Sequence, residues 1–218
     1  VLCTTGLRAE ARIVRAAGFP TVIGGGDRER TAALVNRALP GAKCLVSFGI
    51  AGGLAPHLRA GDTVISTEVF ASGDRWQPAP DFCARVTALA GELGAIEGPV
   101  FGAPRIIATT AEKRRTWIAT GALTVDLESD LVAQAATAAG IPFVVVRTVA
   151  DSAWRSLPPA ALLPLGENGT PQLTRALVSV LRRPRQLGAL IGVARETRRA
   201  LAALVGPAHA LHTIVATA

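Results

Sequence analysis

The 218-residue chain has no methionine and no tyrosine, and its aromatic content is only 4%. Few aromatics leave little to stack on successive nucleobases, and no nucleic-acid-binding module is recognisable, so a nucleic-acid partner is not expected. Cysteine is equally sparse. Cys3, Cys44 and Cys83 are odd in number, far apart and without metal-ligand spacing, which points to reduced thiols in a cytosolic protein and to no metal site. No run approaches the roughly 20 apolar residues that cross a bilayer. Arg8, Glu10, Arg12 and Arg15 also stand where a secretory signal would need its apolar stretch. A cytoplasmic protein is therefore expected. Low-complexity segments and internal repeats are missing as well, which argues against a disordered or repetitive chain.

What is present suits a single globular domain over residues 1–218, since half the residues are apolar. The net charge of +7 is unevenly placed: from Pro171 onward there are seven arginines (Arg175, Arg182, Arg183, Arg185, Arg195, Arg198 and Arg199) against Glu196 alone. These form either a solvated helix face or a face that meets an anionic surface.

The most informative stretch is VDLESDLVAQAATAAGIPFVVVRTVAD, Val125 to Asp151. Leu123 to Leu127 reads as a short strand, with Ser129 as cap of a helix running to about Ala139. Gly140 and Pro142 end that helix. Phe143 to Val146 is wholly apolar, as expected of a strand covered on both faces in a parallel sheet. Asp126 and Glu128 thus fall at one strand end and Asp151 just past another, the place where open α/β sheets bind ligands. The residues alone leave two readings open, helix-capping and turn carboxylates or a ligand site.

Earlier in the chain, Val1 to Thr5 reads as a strand turning at Gly6 into a helix over Leu7 to Ala17, with Glu10 in its first turn as a dipole-favoured carboxylate or a functional one. Gly24-Gly25-Gly26 precedes a helix from about Arg30 to Ala38. It is either a flexible turn or, with Arg8, Arg28 and Arg30, part of an anion site. Lys43 to Phe48 is a strand leading into a glycine loop, Gly49 to Pro56. Ala71 to Pro80 reads as a polar loop with Trp76 on the rim of a pocket, followed by a helix from Asp81 to Leu93, and Ile106 to Thr110 reads as a further strand. Leu157 to Pro171 is irregular. Two helices are expected to close the chain, the second from about Arg185 to Val205 with Leu187, Leu190, Ile191, Ala194, Leu201, Leu204 and Val205 on its apolar face.

Three of these segments together, GLRAE at Gly6 to Glu10, FGIAGGLAPHLRAGDTVIS from Phe48, and VDLES followed by VVVRTVAD, resemble the purine nucleoside phosphorylase and methylthioadenosine/adenosylhomocysteine nucleosidase superfamily. The resemblance covers roughly Val1 to Asp151 and implies a three-layer α/β/α sandwich with a mixed central sheet. It also implies cleavage of the N-ribosyl bond of an adenosine-type purine nucleoside, without a cofactor, in a homo-oligomer. By position, Asp151 would protonate the purine and Glu10 would hold or deprotonate the attacking water. Glu128 would accept hydrogen bonds from the ribose hydroxyls. Asp126 stands where the family has glutamate, and Leu127, Ile50, Ala51 and Gly52 would line the nucleoside. Ser47 and Ile50 replace the arginine and serine with which the phosphorylases bind phosphate, which favours water over phosphate as second substrate. The family's base-stacking aromatic is missing around Ala111 to Arg114, leaving Trp76 or Trp117 to replace it. GLRAEARI, VDLES and LGALIGVARETRRAL are most similar to the hopanoid-associated group, which releases adenine from adenosylhopane. That likeness implies a lipid-tailed substrate and a peripheral membrane contact for the basic tail.

Overall fold

The computed structural model describes residues 1–71, 73–166, 169–172, 179 and 183–215. The chain runs β1 (Leu2–Thr5), α1 (Arg8–Ala16), β2 (Thr21–Ile23), α2 (Arg28–Ala38), β3 (Leu45–Gly53), β4 (Thr63–Ala71), β5 (Asp74–Trp76), α3 (Pro80–Leu93), β6 (Ile96–Gly102), α4 (Thr110–Thr120), β7 (Thr124–Asp126), α5 (Ser129–Ala139) and β8 (Phe143–Asp151). After two short 3-10 turns come α6 (Leu187–Ala203) and α7 (Val205–Val215).

The strands form one mixed sheet in which β2, β1, β3 and β8 run parallel in that order. From β8 the sheet continues to β4, antiparallel, then to β6 and β7, and β7 returns antiparallel to the far end of β3. Five strands therefore close a ring while β1 and β2 extend as a wing, and β5 adds an edge to β4. Closure brings the end of β7, which would otherwise lie remote, against the ends of β3 and β8.

Side chains of β8 alternate between two apolar layers, as the period of a strand requires. Val144 and Val146 join Phe48, Val14, Leu204 and Leu211 on one face, while Phe143 and Val145 join Leu45, Val35, Val132 and Ala136 on the other. One layer is therefore closed by α1, α3, α6 and α7 and the other by α2 and α5. Each such side chain withdrawn from water contributes about 1.5–3 kcal/mol.

Several sequence expectations change. The segment read as a glycine loop is strand for five residues more, β3 ending at Gly53, with a register shift against β8 between Ala51 and Gly52. Ile106 to Thr110 is not a strand; the strand lies earlier, in IEGPVFG, where Gly98 and Pro99 disguise it. Pro99 is tolerated because it sits at the register shift with β4, where the ladder is already interrupted. Trp76 lies in β5 and packs on the apolar core, as does Trp117, so neither lines the cavity described below. The first of the two expected closing helices falls largely outside the described residues, and the second ends at Ala203 with α7 following it. On α6, Leu187 and Ile191 are exposed and Ala200 is buried, as is Leu204 just past its end, because the helix meets the sheet only along part of its apolar stripe.

Candidate functional site

A cavity of about 260 Å³ opens at the carboxyl ends of β1, β3, β7 and β8. Glu10, Ile50, Ala51, Gly52, Asp126, Leu127, Glu128 and Asp151 all line it, although they come from four distant parts of the chain. Its opposite wall is apolar: Ile106 and Ile107 from the segment before α4, and Leu157, Ala161, Leu163 and Leu165 from the connection after β8.

Glu10 is 2% exposed. It sits at the third position of α1, and its Oε2 accepts from the backbone N–H groups of Gly6 (3.0 Å) and Leu7 (2.7 Å), satisfying donors that a helix start leaves free. Its Oε1 accepts from the Ile50 N–H at 2.8 Å, tying α1 to β3. A Cβ on Gly49 would stand 2.6 Å from that oxygen, so only glycine lets the strand pass. Burial pushes the Glu10 carboxyl above its ordinary value, and the three backbone donors and Arg147 offset this only in part.

Asp126 and Glu128 are two residues apart and differ sharply. The Oδ1 of Asp126 accepts from the N–H groups of Glu128 (2.8 Å) and Ser129 (2.7 Å), so Asp126, rather than Ser129, caps α5 with its side chain. Its Oδ2 accepts from the Ser129 hydroxyl and from Arg147 Nε (2.7 Å). Burial raises the Asp126 carboxyl, but Arg147 and Ser129 outweigh it and hold the group below its usual range. Glu128 is also buried, yet among the described residues nothing hydrogen-bonds to its carboxylate. Burial first, and then the charges of Asp126 and Glu10, push it up to about 8 against the partial relief of Arg147 and Arg28. Gly6 makes room for it, since a Cβ there would lie 2.9 Å from Oε1.

Asp151 ends β8 and is paired with Lys113 of α4, a lysine with no solvent exposure. Burial raises the Asp151 carboxyl and Lys113 lowers it, the net direction being upward.

The three arginines considered for an anion site do not converge. Arg28 makes a bidentate pair with Asp130 (2.9 and 2.5 Å) and also donates to Leu127 O and Ala103 O. Arg8 and Arg30 lie off the cavity lining. The glycine turn is committed as well: Gly24 and Gly25 donate to the carbonyls of Thr5 and Gly6, and Asp27 already caps α2 through the Arg30 N–H.

Residue-by-residue reading missed Arg147, which donates to Ser47 (2.5 Å), Ser129 (3.1 Å) and Asp126 from a wholly buried position. A signal existed: an arginine inside the run VVVR must find buried anionic partners. It also missed Lys113, whose neighbours Glu112, Arg114 and Arg115 make it look like one more solvated charge. The apolar wall gave no local sign, because its residues gather only after folding.

Residues 2–161 match the Phosphorylase superfamily, and the chain belongs to that superfamily. Among individual proteins, the 5'-methylthioadenosine/S-adenosylhomocysteine nucleosidase of Desulfotalea psychrophila (strain LSv54 / DSM 12343) is 28% identical over 145 residues, or 56% of this chain and 59% of that protein. The chain thus spans about three-fifths of that relative. Similar solved structures include a futalosine hydrolase mutant of Helicobacter pylori strain 26695 (TM-score 0.70, 11% identity, 100% of this chain and 98% of that one). The 5'-methylthioadenosine/S-adenosylhomocysteine nucleosidase of Campylobacter jejuni is another (TM-score 0.69, 12% identity, 100% and 98%). A third is its counterpart from Neisseria meningitidis in complex with methylthio-immucillin-A (TM-score 0.65, 19% identity, 97% and 98%). At these identities the likeness establishes an α/β fold with a mixed sheet of the nucleoside phosphorylase type.

Proposed function

We infer that the chain hydrolyses the N-ribosyl bond of an adenosine-type purine nucleoside, releasing adenine. The observation that carries the reading is the gathering of Glu10, Glu128 and Asp151 in one cavity, each carboxyl held above its ordinary value by burial. As the bond to the base breaks, its electron pair goes to the purine and positive charge grows on the sugar. A proton from Asp151 neutralises the first, and the carboxylates of the floor stabilise the second. Water attacks the anomeric carbon and gives its proton to Glu10. Asp151 and Glu10 then return to their starting states by exchange with solvent, so the balance is nucleoside plus water to adenine plus sugar.

Water is favoured over phosphate by charge. Among the described residues Arg147 is taken up by Asp126, and the basic side chain of the cavity lining, Arg105, is paired with Glu112 at 2.9 Å. A phosphate dianion would find no free cation to hold it. The apolar wall supports a 5' substituent that is uncharged and apolar. A lipid-tailed nucleoside such as adenosylhopane fits this reading and the notable similarity of the N-terminal and VDLES segments. For a membrane-borne substrate the exposed Trp154, Ile191, Arg195, Arg198 and Arg199 offer an interfacial face, whereas no described helix is long and apolar enough to cross a membrane.

The test is adenine release from adenosine derivatives graded from charged to apolar at the 5' position, with and without phosphate. Phosphate-independent release, with free sugar as product and fastest turnover on apolar derivatives, is expected. A strict phosphate requirement with a sugar 1-phosphate product overturns hydrolysis, and saturable binding without release overturns the enzyme.

A further inference from the structure

Lys113 is one of only two lysines in a chain that uses arginine at the other 21 of its 23 basic positions. It is also one of the largest fully buried side chains. A buried ammonium needs all three of its N–H groups satisfied by acceptors. Lys113 Nζ finds them in one turn: Ser152 O at 2.8 Å, Arg155 O at 3.1 Å and the Asp151 carboxylate, with Asp151 O behind at 3.4 Å. An arginine's planar fork would not fit a point cage of this kind.

The lysine is itself placed from outside. Thr109 and Glu112 form a reciprocal capping box at the start of α4, the Thr109 hydroxyl accepting from the Glu112 N–H and the Glu112 carboxylate from the Thr109 N–H, both at 3.1 Å. The same helix start is docked on the segment beyond β8, Thr110 N–H donating to Ser156 Oγ (3.2 Å) and Leu157 N–H to Ala108 O (2.8 Å). One side of Asp151 is therefore fixed. The bond from Lys113 goes to Oδ2, and among the described residues none is made to Oδ1.

We propose that Lys113 is a positioning residue for the reaction: it clamps Oδ2 of Asp151 so that Oδ1 alone meets the purine, and it stabilises the carboxylate left after the proton has moved from Oδ1 to the base. This rests on the reading of Asp151 as proton donor. Arg155, from the turn after β8, and Glu196, from α6, also act on Asp151, in opposite senses, and make a bidentate pair with each other at 2.7 and 2.6 Å. Glu10 and Glu128 face the same cavity from its other side. Among the described residues, Lys113 is the charged side chain in direct contact with the acid.

The test is the pH profile of kcat/KM for adenine release by the full chain carrying Lys113→Met or Lys113→Arg. In Lys113→Met the rate falls at least about tenfold and the alkaline limb, where the acid loses its proton, moves upward by about one pH unit or more, since the positive charge that eased ionisation is gone. Lys113→Arg keeps the limb near the parent's while losing rate, because charge survives and geometry does not. A limb that stays in place in folded Lys113→Met overturns the proposal. Where Lys113→Met does not fold, Lys113→Arg decides: full parental rate, or a limb shifted as far as one unit, overturns it. If the parent protein releases no base from any nucleoside, the functional reading has failed on its own. Carboxyl carbon NMR of Asp151 then tests the pair directly, a higher titration midpoint in Lys113→Met supporting the clamp and an equal one rejecting it.

Discussion

The two sides of the cavity floor put buried carboxylates to opposite uses. On one side Asp126 gives every oxygen to the protein, to Arg147, Ser129 and two backbone N–H groups, and stays ionised. On the other, Glu128 is held two residues away with no hydrogen bond to its carboxylate among the described residues, and it keeps its proton to about 8. A buried charge that is neutralised and fully bonded belongs to the scaffold, whereas a buried carboxyl left short of partners is held for a ligand. Glu10 stands between the two: its oxygens are used by three backbone donors, yet burial still pushes it upward.

The largest effect that would break this comparison is on stability. Replacing Arg147 by Met leaves Asp126, Glu128 and Glu10 around an apolar side chain, and removing one partner of a buried pair costs about 3–5 kcal/mol. Urea unfolding of Arg147→Met should show a loss of that order. The double variant Asp126→Asn/Arg147→Met should recover part of it, because no unpaired charge remains. Equal stability of Arg147→Met and the parent would mean that the knot does not hold the floor together.

On the reactive side the expected losses are in turnover with the fold intact. Asp151→Asn should lower kcat by about a hundredfold or more, since general-acid assistance is worth that much. Glu10→Gln should lower kcat similarly while binding of the nucleoside changes little. Unchanged turnover in folded Asp151→Asn would return Asp151 to a purely structural role beside Lys113.

How much of this was legible in the sequence follows the same division. The strand ends at Asp126, Glu128 and Asp151 could be read because helix caps and apolar runs are local: Gly140 does adopt the left-handed conformation that ends α5 (φ 66°), and all nine residues of β8 are buried. Glu10 and Ile50 could be named but not joined, as their hydrogen bond depends on β3 passing α1 at Gly49. The clamp at Lys113 and the apolar wall were hidden for the same reason: both arise where the segments before α4 and after β8 dock on each other. In IEGPVFG, glycine and proline concealed a strand whose evidence is its neighbours, not its own residues.

The wall is where a smaller effect is expected. A carboxylate introduced as Leu163→Asp should cost roughly tenfold in kcat/KM on a nucleoside with an apolar 5' group, in line with about 1–3 kcal/mol for apolar pocket contacts. It should leave adenosine itself close to the parent. Equal loss on both would mean that the wall supports the cavity rather than selecting the substituent.

The smallest signal, and the one that tests the comparison most directly, is the release of a proton. Folding raises the Glu128 carboxyl from 4.5 to about 8, so between those values the folded chain holds a proton that the unfolded chain has lost. Stability from this group is therefore full below about pH 4.5, declines as pH rises and levels off above about 8. Glu128→Gln should flatten that decline. If ribose hydroxyls donate to Glu128, they favour its ionised form and lower its pKa, so nucleoside binding at pH 7 should release a proton. Titration calorimetry in buffers of different ionisation enthalpy measures the release. It should approach about one proton at pH 7, vanish well above pH 8 where the carboxyl is already ionised, and be absent in Glu128→Gln. Asp126→Asn should reduce it too, because removing that neighbouring charge lets Glu128 ionise before the ligand arrives. Proton uptake, or release that survives Glu128→Gln unchanged, would show that the unpaired carboxyl does not meet the sugar.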